Sequence, residues 1–437
     1  MLKIGFILLL STALVLSNTA KSSAGCGDGK VRGVNLGGWL VLEPWITPKF
    51  FEEVNDGGDK IVDEYTYAQY LDPAVYKERM VKHWDTFYTK EEFAKLAASG
   101  IEILRIPIAY WYWDVIEGEP FPQPNMDDMD PESPLFYLRR ALGWMEEYGL
   151  KASFDLHTGP ESQNGYDNSG RRGEIHWVDG SYPGNRMNLD RTVSIVDQYA
   201  QTIRNWVDSG VISIDTVYGI GILNEPHVCG GWNFDGVLWP ACIDDFYPKA
   251  HDAVRKHFSG EEAKVVVDVA GRALSDFDGQ LTGGDVDIDA HNYQCFGGYW
   301  NEVALSADGW GTHISASCQI QNDLATSSLP VWVGEFSLAV TECQKYLSGG
   351  YQVEYHPPDS PDYLCDYYNS DFSTYSEQYK DFLKQFFLAQ IDSFESAAGW
   401  VFWTAKTEDH CAPEWDYLFL LENGIVPADL CNRDTVC

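Results

Sequence analysis

The feature that most constrains the fold of this chain is a regular alternation of short apolar runs with amphipathic stretches. Each run has the length of a buried strand, and the stretches between them repeat their apolar residues at helical spacing. The eight runs span residues 33–40, 101–108, 150–157, 216–224, 264–270, 286–292, 329–336 and 398–403. The clearest amphipathic stretches span residues 135–148, 191–208, 244–258 and 375–394. Since eight strand and helix units favour closure over an open sheet, the sequence predicts an α/β fold, a (β/α)₈ TIM barrel.

Two connections between these elements are much longer than the others, and both follow predicted strands. Residues 159–188 are rich in Gly, Asn and Arg, and residues 341–373 are rich in Tyr, Pro and Asp. In a barrel of this kind, the loops after the strands form the face that carries the active site. We therefore predict one catalytic domain over residues 25–437, with long loops that shape a cleft on that face.

The first 24 residues have the layout of a cleaved secretory signal. Lys3 precedes an apolar run over residues 4–16, and small residues follow before Gly25. The run is too short to cross a bilayer, which takes about 20 apolar residues, and no later segment is long and apolar enough. We predict a signal peptide over residues 1–24 and an exported, extracellular or cell-wall monomer without a membrane anchor.

The charge of the chain restricts its partners. Asp and Glu outnumber Lys and Arg by 66 to 30, which gives a formal net charge of −36. Such a field repels nucleic acid and anionic lipid, whereas a neutral polysaccharide is compatible with it. The chain has no phosphate-binding loop, no dinucleotide fingerprint, no serine nucleophile elbow and no His/Cys cluster at zinc spacing. We therefore expect no cofactor and no metal.

Polar side chains stand at the carboxyl ends of the predicted strands, where barrel enzymes place their catalytic groups. They are Arg105, His157, Asn224 with Glu225, His291 with Tyr293, Glu335, and Trp403. Any one of them alone fits a helix cap, a buried histidine or a core tryptophan, but together they indicate a site. Glu225 and Glu335 each lie in a mostly apolar setting. A facing pair of carboxylates is what cleavage of a glycosidic bond needs.

Six motifs in order along the chain give these residues a wider context. They are RGVNLGGWLVLEPW (32–45), DLH (155–157), NGYDNSG (164–170), NEP (224–226), GEF (334–336) and GWVFW (399–403). The whole resembles a fungal-type exo-β-1,3-glucanase of glycoside hydrolase family 5, from residue 32 to about residue 423. The resemblance implies a retaining enzyme that releases glucose from the non-reducing ends of β-1,3-glucan by double displacement.

The resemblance also implies a role for each site residue. Glu225 matches the acid/base and Glu335 the nucleophile. Arg105 and Asn224 are expected to support the nucleophile and the sugar 2-hydroxyl. The subsite of the cleaved glucosyl unit is expected to be lined by Glu43, His157, His291, Tyr293 and Trp403, and the incoming glucan to be gripped by Tyr166 and Phe296. Tyr166 stands where the family is expected to have Phe. An arginine beside Glu335 should keep it ionised, and apolar surroundings should keep Glu225 protonated.

Ten cysteines in an exported chain allow up to five disulfides. Their local spacing suggests Cys343 with Cys365 and Cys229 with Cys242. The resemblance implies a bond from Cys318 to Cys431 or Cys437.

Two other functions fit the same residues. Relatives within the family act on β-1,6-glucan, on β-1,4-glucan or on glucosides of small aglycones, and the catalytic residues do not separate these activities. A non-catalytic glucan-binding or wall-anchoring protein could also keep the barrel. That alternative predicts a damaged site, whereas Glu225 and Glu335 are both present.

Overall fold

The computed structural model describes residues 25–55, 58, 60–178, 181–230, 238–281, 284–306, 308–347 and 371–437. Eight parallel strands form a closed barrel in sequence order, with the first strand paired to both the second and the eighth. The strands are β1 Val31–Asn35, β2 Ile103–Ile108, β3 Lys151–Leu156, β4 Val217–Gly221, β5 Lys264–Asp268, β6 Val286–His291, β7 Val331–Glu335 and β8 Gly399–Phe402. The (β/α)₈ barrel predicted from the alternating pattern is confirmed.

Helices surround the barrel and connect its strands. They are α1 Pro48–Asn55, α2 Glu64–Tyr70, α3 Pro73–Thr86, α4 Lys90–Ser99, α5 Pro134–Tyr148, α6 Met187–Asp208, α7 Trp239–Ala241, α8 Tyr247–Arg255, α9 Gly298–Leu305, α10 Gly309–Leu324, α11 Glu377–Phe394 and α12 Tyr417–Glu422. Local sequence sets their ends. Helix α4, for example, begins with a capping box between Thr89 and Glu92 and ends at Gly100 in the left-handed conformation. No helix among the described residues is long and apolar enough to cross a membrane.

Several predicted boundaries differ from the observed ones by a few residues, and two of these differences are described here because they have a clear local basis. The first apolar run was expected to be strand from residue 33 to residue 40, but β1 ends at Asn35. The chain turns at Gly38, whose φ is +67° and where a Cβ would collide with Ile46. The amphipathic stretch from residue 244 begins as a π-helical turn over Cys242–Phe246, and α8 starts only at Tyr247.

The barrel strands are buried on both faces because the helices cover the outside and side chains fill the inside. At the amino-terminal end of the barrel, Arg32 of β1 is buried and forms ion pairs with carboxylates. Its guanidinium lies 2.7 Å from Asp28 and 2.9 Å from Glu395. The carboxyl ends of the strands are the opposite end, where residues 159–178 of the first long loop follow β3.

Three disulfides lie among the described residues; two of them were predicted, and the third was not. The Cys229–Cys242 bond is confirmed, and Cys318 pairs with Cys437 rather than with Cys431. Cys431 instead bonds Cys26 and so ties the segment before β1 to the segment after the last helix. Cys343 is in a disulfide. The predicted partner Cys365 lies outside the described residues, so that pair stays a prediction.

Fewer than the five possible disulfides form, because Cys295 and Cys411 are free thiols. Cys295 is buried in a small cluster that includes Trp403 and Trp415, and Cys411 packs at the edge of the same cluster. Both thiols behave as small apolar side chains, which is a common role for buried cysteine.

Candidate active site

A cavity of about 680 Å³ opens at the carboxyl ends of the barrel strands. Its volume lies within the usual range of small-ligand sites, roughly 300 to 1,000 Å³. The lining residues are Glu43, Trp45, Tyr166, Asp167, Asn168, Glu225, His227, His291, Asn292, Tyr293, Phe296, Gly297, Glu335, Glu342, Leu347, Trp403 and Trp415. Carboxylates and aromatic rings therefore dominate this surface. Both glutamates that the sequence singled out face it.

Glu335 is the last residue of β7 and is almost fully buried. One of its carboxylate oxygens accepts a hydrogen bond from the guanidinium of Arg105 at 2.9 Å, and the other accepts the hydroxyl of Tyr293 at 2.9 Å. Each oxygen thus has a donor of its own, and the side chain is fixed from two sides. A fixed carboxylate at the end of a rigid strand is well suited to attack a bound substrate.

Arg105 connects this glutamate to three other strands. It lies on β2 with about 1% of its surface exposed, and it donates to the side-chain oxygen of Asn35 at 3.0 Å and of Asn224 at 2.7 Å. Ion pairs of 3.2 Å join it to Asp155 and Asp289. These carboxylates, together with Glu335, raise the pKa of Arg105 against the opposing effect of burial, so its charge is permanent.

Glu225 follows β4 in a backbone conformation that is rare for a residue with a side chain. Its φ is +42°, a left-handed value that costs roughly 1 to 3 kcal/mol and is found mostly at functional sites. One carboxylate oxygen is 2.9 Å from Nδ1 of His291, and the other accepts from the side-chain amide of Asn168 at 3.2 Å. Asn164 donates to the same oxygen at 3.4 Å. The strained turn therefore aims Glu225 into the cavity.

The two glutamates lie close together. One oxygen of Glu225, one oxygen of Glu335 and a ring nitrogen of His291 are all within 4.8 Å of one another. The sequence alone could not supply this distance, because 110 positions separate the two residues. Their arrangement brings two carboxylates together at one point of the cavity wall.

The protonation pattern of the free site differs from the expected one. Although burial opposes it, the hydrogen bond from His291 lowers the pKa of Glu225. Burial raises the pKa of Glu335 to about 8, against the attraction of His291 and Arg105. We expected an ionised Glu335 and a protonated Glu225, so the expected order is reversed. The reason is His291, whose hydrogen bond and positive charge favour the ionised form of Glu225.

Three buried aspartates support this site and were not predicted as site residues. Asp155, Asp268 and Asp289 lie at the carboxyl ends of β3, β5 and β6, and all are nearly fully buried. An aspartate that interrupts an otherwise apolar strand was the available signal. Two groups of side chains here have the spacing to hold a metal ion, but Arg105 and His291 already supply positive charge to both groups.

The remaining predicted residues of the inner subsite take two positions. Glu43 and Trp403 line the cavity, and one carboxylate oxygen of Glu43 accepts the indole N–H of Trp45 at 2.9 Å. His157 does not line the cavity, contrary to the prediction. Its ring lies nearly parallel to that of Trp403 at a centroid distance of 5.3 Å, and its Nδ1 is 2.7 Å from Asp155. His157 therefore packs against Trp403 and supports this part of the cavity wall without lining the cavity itself.

Tyr166 and Phe296 lie at the cavity and are its most exposed aromatic rings. Their exposed fractions are 46% and 40%. The Phe296 ring packs edge-on against Tyr293 at 5.3 Å, and the Tyr166 ring packs edge-on against His227 at 5.1 Å. Both rings are thus held in place while a large part of each stays open to a ligand.

Several lining residues were missed by sequence reasoning. Asn168 and Asp167 lie within the motif 164–170, which was noted only for its resemblance, and Trp45 ends the motif 32–45. Glu342 and Trp415 come from loops after β7 and β8, and neither lies in one of the six motifs.

Comparison with known proteins adds independent information. No family model matches the chain. The probable glucan 1,3-β-glucosidase A of Emericella nidulans is 37% identical over 434 residues, which cover 97% of this chain and 97% of that protein. The glucan 1,3-β-glucosidase of Lachancea kluyveri is 34% identical over 421 residues, which cover 92% of this chain and 88% of that protein.

Solved structures share the fold. The rutinosidase of Aspergillus niger superposes with a TM-score of 0.65 at 20% identity, covering 91% of this chain and 98% of that one. A glycoside hydrolase family 5 enzyme from Prevotella bryantii gives a TM-score of 0.51 at 12% identity, covering 94% and 98%. The barrel fold agrees with the resemblance seen in the motifs. The 37% and 34% identity to the two glucosidases, which extends over nearly the whole chain, agrees with it as well. The chain therefore belongs to the family of the fungal glucan 1,3-β-glucosidases, which are glycoside hydrolases.

Proposed function

We propose that this glycoside hydrolase is a secreted, retaining exo-β-1,3-glucanase that releases glucose from the non-reducing ends of β-1,3-glucan. The observation that carries the proposal is the approach of Glu225 and Glu335 to within 4.8 Å between carboxylate oxygens. Retaining enzymes hold their two carboxyl groups about 5 to 5.5 Å apart, whereas inverting enzymes need about 6.5 to 9.5 Å to seat a water between them. The spacing favours direct attack by a carboxylate.

In the first half-reaction, Glu335 attacks the anomeric carbon and Glu225 gives its proton to the leaving glycosidic oxygen. The bond from sugar to leaving oxygen breaks as the glucosyl ester of Glu335 forms. Arg105 and Tyr293 hold the two oxygens of Glu335 and fix the direction of attack. In the second half-reaction, Glu225 takes a proton from water, and the water displaces Glu335 from the sugar.

This cycle needs the proton on Glu225, whereas the free site favours it on Glu335. The two arrangements differ only in which glutamate carries the proton, so the site holds the same number of protons in both. Nδ1 of His291 lies 2.9 Å from Glu225 and 3.4 Å from Glu335, so His291 can pass its proton to one and receive a proton from the other. Positive charge that develops at the anomeric carbon in the transition state stabilises an ionised Glu335 and so favours the productive distribution.

The cavity walls support recognition of a glucosyl unit at a chain end. Glu43 is buried in the wall, and one of its oxygens has no hydrogen-bond partner among the described residues. That oxygen is available to a sugar hydroxyl. The exposed rings of Tyr166 and Phe296 offer apolar faces on which following sugar units can stack.

The decisive measurement is proton NMR of the first sugar released from laminarin, recorded before mutarotation. We expect β-glucose first, because two inversions at one carbon restore its configuration. If α-glucose appears first, Glu335 is not the nucleophile, and the pair must be an acid and a water-activating base.

The preference for β-1,3 linkages is supported by the names of the relatives rather than by the catalytic residues. A panel of laminarin, pustulan and cellulose oligomers tests it, and we expect the highest kcat/KM on laminarin. Faster cleavage of pustulan would make the protein a β-1,6-glucanase with the same mechanism.

Secretion as a monomer is the remaining part of the proposal. The disulfides, including Cys26–Cys431, support an oxidising compartment. Amino-terminal sequencing of protein from the culture medium should begin at Gly25, and size-exclusion chromatography should give the mass of one chain. Residues 1–24 lie outside the described part of the chain. Retention of an intact leader on the protein in the medium would contradict their assignment as a signal peptide.

A further inference from the structure

His291 lies between four carboxyl groups and is almost completely buried. Its Nδ1 is 2.9 Å from an oxygen of Glu225 and 3.4 Å from an oxygen of Glu335. Its Nε2 is 3.2 Å from an oxygen of Asp268 and 3.6 Å from an oxygen of Asp289. Both ring nitrogens therefore face carboxylate oxygens.

This arrangement is informative because a neutral imidazole has only one N–H. Its second nitrogen carries a lone pair, which would be repelled by the lone pairs of a carboxylate. An imidazolium has an N–H on both sides: Nδ1 faces Glu225 at hydrogen-bond distance, and Nε2 lies at ion-pair distance from Asp268 and Asp289, without a hydrogen bond among the described residues. The geometry therefore fits a positively charged His291.

The two aspartates behind the ring are not equivalent. Asp289 is also 3.2 Å from Nε of Arg105, so part of its charge is already balanced. Asp268 makes its one ion pair within the described residues with His291. Its other oxygen accepts the backbone N–H of Ala270 at 2.6 Å, and Ala270 has a left-handed φ of +49°. That conformation is unfavourable for alanine, so the surrounding structure must hold the turn in place. The turn directs the carboxyl group of Asp268 toward the imidazole ring of His291.

We propose that Asp268 is a positioning residue that keeps the imidazolium of His291 between the two catalytic glutamates as the pH rises. The inference deepens the proposed glycosidase function and rests on it. With His291 charged, the group of Glu225, Glu335 and His291 holds two protons, and the first half-reaction passes one of them through Glu225 to the leaving oxygen. When only one proton remains, it stays on His291, because the pKa of His291 is raised and that of Glu225 is lowered, and Glu225 then has no proton for the leaving group.

Other charged groups also act on His291 and must be considered with Asp268. They are Glu225 after β4, Asp289 of β6, Glu335 of β7, Arg105 of β2, Asp155 of β3, and His227 in the loop after β4. Although burial opposes it, the carboxylates in this set together with Asp268 raise the pKa of His291 well above its usual value. Burial raises the pKa of Asp268 itself to about 7. This carboxyl group therefore becomes charged in the pH range in which the group of Glu225, Glu335 and His291 begins to lose its second proton.

The test is the pH profile of kcat/KM on laminarin for the Asp268→Asn variant. An ionised Asp268 favours the protonated group of Glu225, Glu335 and His291, so its removal lets this group lose its second proton at lower pH. We expect the alkaline limb to move to lower pH by about one unit, since a carboxylate within ion-pair distance shifts a pKa by about 1 to 3 units. The loss of activity should therefore grow with pH.

The matched control is Asp287→Asn. Asp287 is an equally buried aspartate of β6, but it accepts from the hydroxyl of Tyr218 at 2.6 Å and lies 3.8 Å from Lys264, so it serves the barrel wall. This variant should keep the pH profile of the wild type. Thermal unfolding of both variants separates loss of fold from loss of the proton. A folded Asp268→Asn variant with an unmoved alkaline limb would overturn the proposal.

A second measurement uses the unmodified protein and needs no substrate. Nitrogen-15 NMR of histidine-labelled protein distinguishes an imidazolium from a neutral ring, and the signals of His291 are those missing from a His291→Gln variant. We expect both nitrogens of His291 to be protonated at pH 7, and a neutral ring there would refute the proposal even if Asp268→Asn does not fold. Failure of the wild type to cleave laminarin would instead count against the proposed function alone.

Discussion

Replacing Arg105 by lysine tests how the barrel interior holds the nucleophile. Arg105 places three nitrogens against five acceptors, which belong to Asn35, Asp155, Asn224, Asp289 and Glu335. Lysine keeps the positive charge but has one nitrogen with three N–H bonds. At least two of the five acceptors must therefore lose their partner.

The magnitude follows from these contacts. A hydrogen bond to a charged group contributes about 1.5 to 3 kcal/mol, so two lost contacts cost about 3 to 6 kcal/mol of unfolding free energy. In a chain of this length, such a loss corresponds to a fall in Tm on the order of 5 to 10 °C. A displacement of Glu335 by about 1 Å costs about 100-fold in rate. We expect Arg105→Lys to lower kcat on laminarin about 100-fold at 25 °C, with a smaller change in KM.

The matched control is Arg32→Lys at the opposite end of the barrel. Arg32 is also buried and contacts three carboxylates, those of Asp28, Glu102 and Glu395. This variant should lose comparable stability and keep its kcat, as measured by thermal unfolding and by steady-state kinetics at 25 °C. Equal kcat losses in Arg105→Lys and Arg32→Lys would refute the reasoning, because the effect would then be general destabilisation. A folded Arg105→Lys variant with wild-type kcat would refute it as well.

Three further predictions concern the substrate side of the site. Glu335→Gln should abolish turnover on every glucoside, measured by glucose release, because an amide cannot form the glucosyl ester. Glu225→Gln should lose activity on laminarin but keep part of it on an aryl glucoside whose leaving group needs no proton, and equal losses on both would contradict its role as the acid. Tyr166→Ala and Phe296→Ala should each raise KM on laminarin about 2- to 10-fold, in line with about 0.5 to 1.5 kcal/mol per stacked ring, and more than on a short aryl glucoside. Equal effects on both substrates would mean that the rings only hold the fold.

The sequence by itself determined the barrel and the positions of most site residues. Eight apolar runs separated by helical patterns leave little choice of architecture, and parallel strands bring their carboxyl ends to one face. Residues as distant as Arg105 and Glu335 could therefore be assigned to one site before any distance was known, and the structure brings them to 2.9 Å. Local rules also fixed helix ends, as at Thr89 and Gly100.

Only the tertiary structure decided how these residues share charge and contacts. His291 proved to lie between Glu225 and Glu335, which reversed the expected order of their pKa values. His157 lies behind Trp403 rather than in the cavity wall. The physical reason is that a pKa depends on burial and on charges a few ångströms away, and these come from strands far apart in the chain. The period of apolar residues indicates which face of a strand is buried, but it does not indicate which side chains from other strands contact that face.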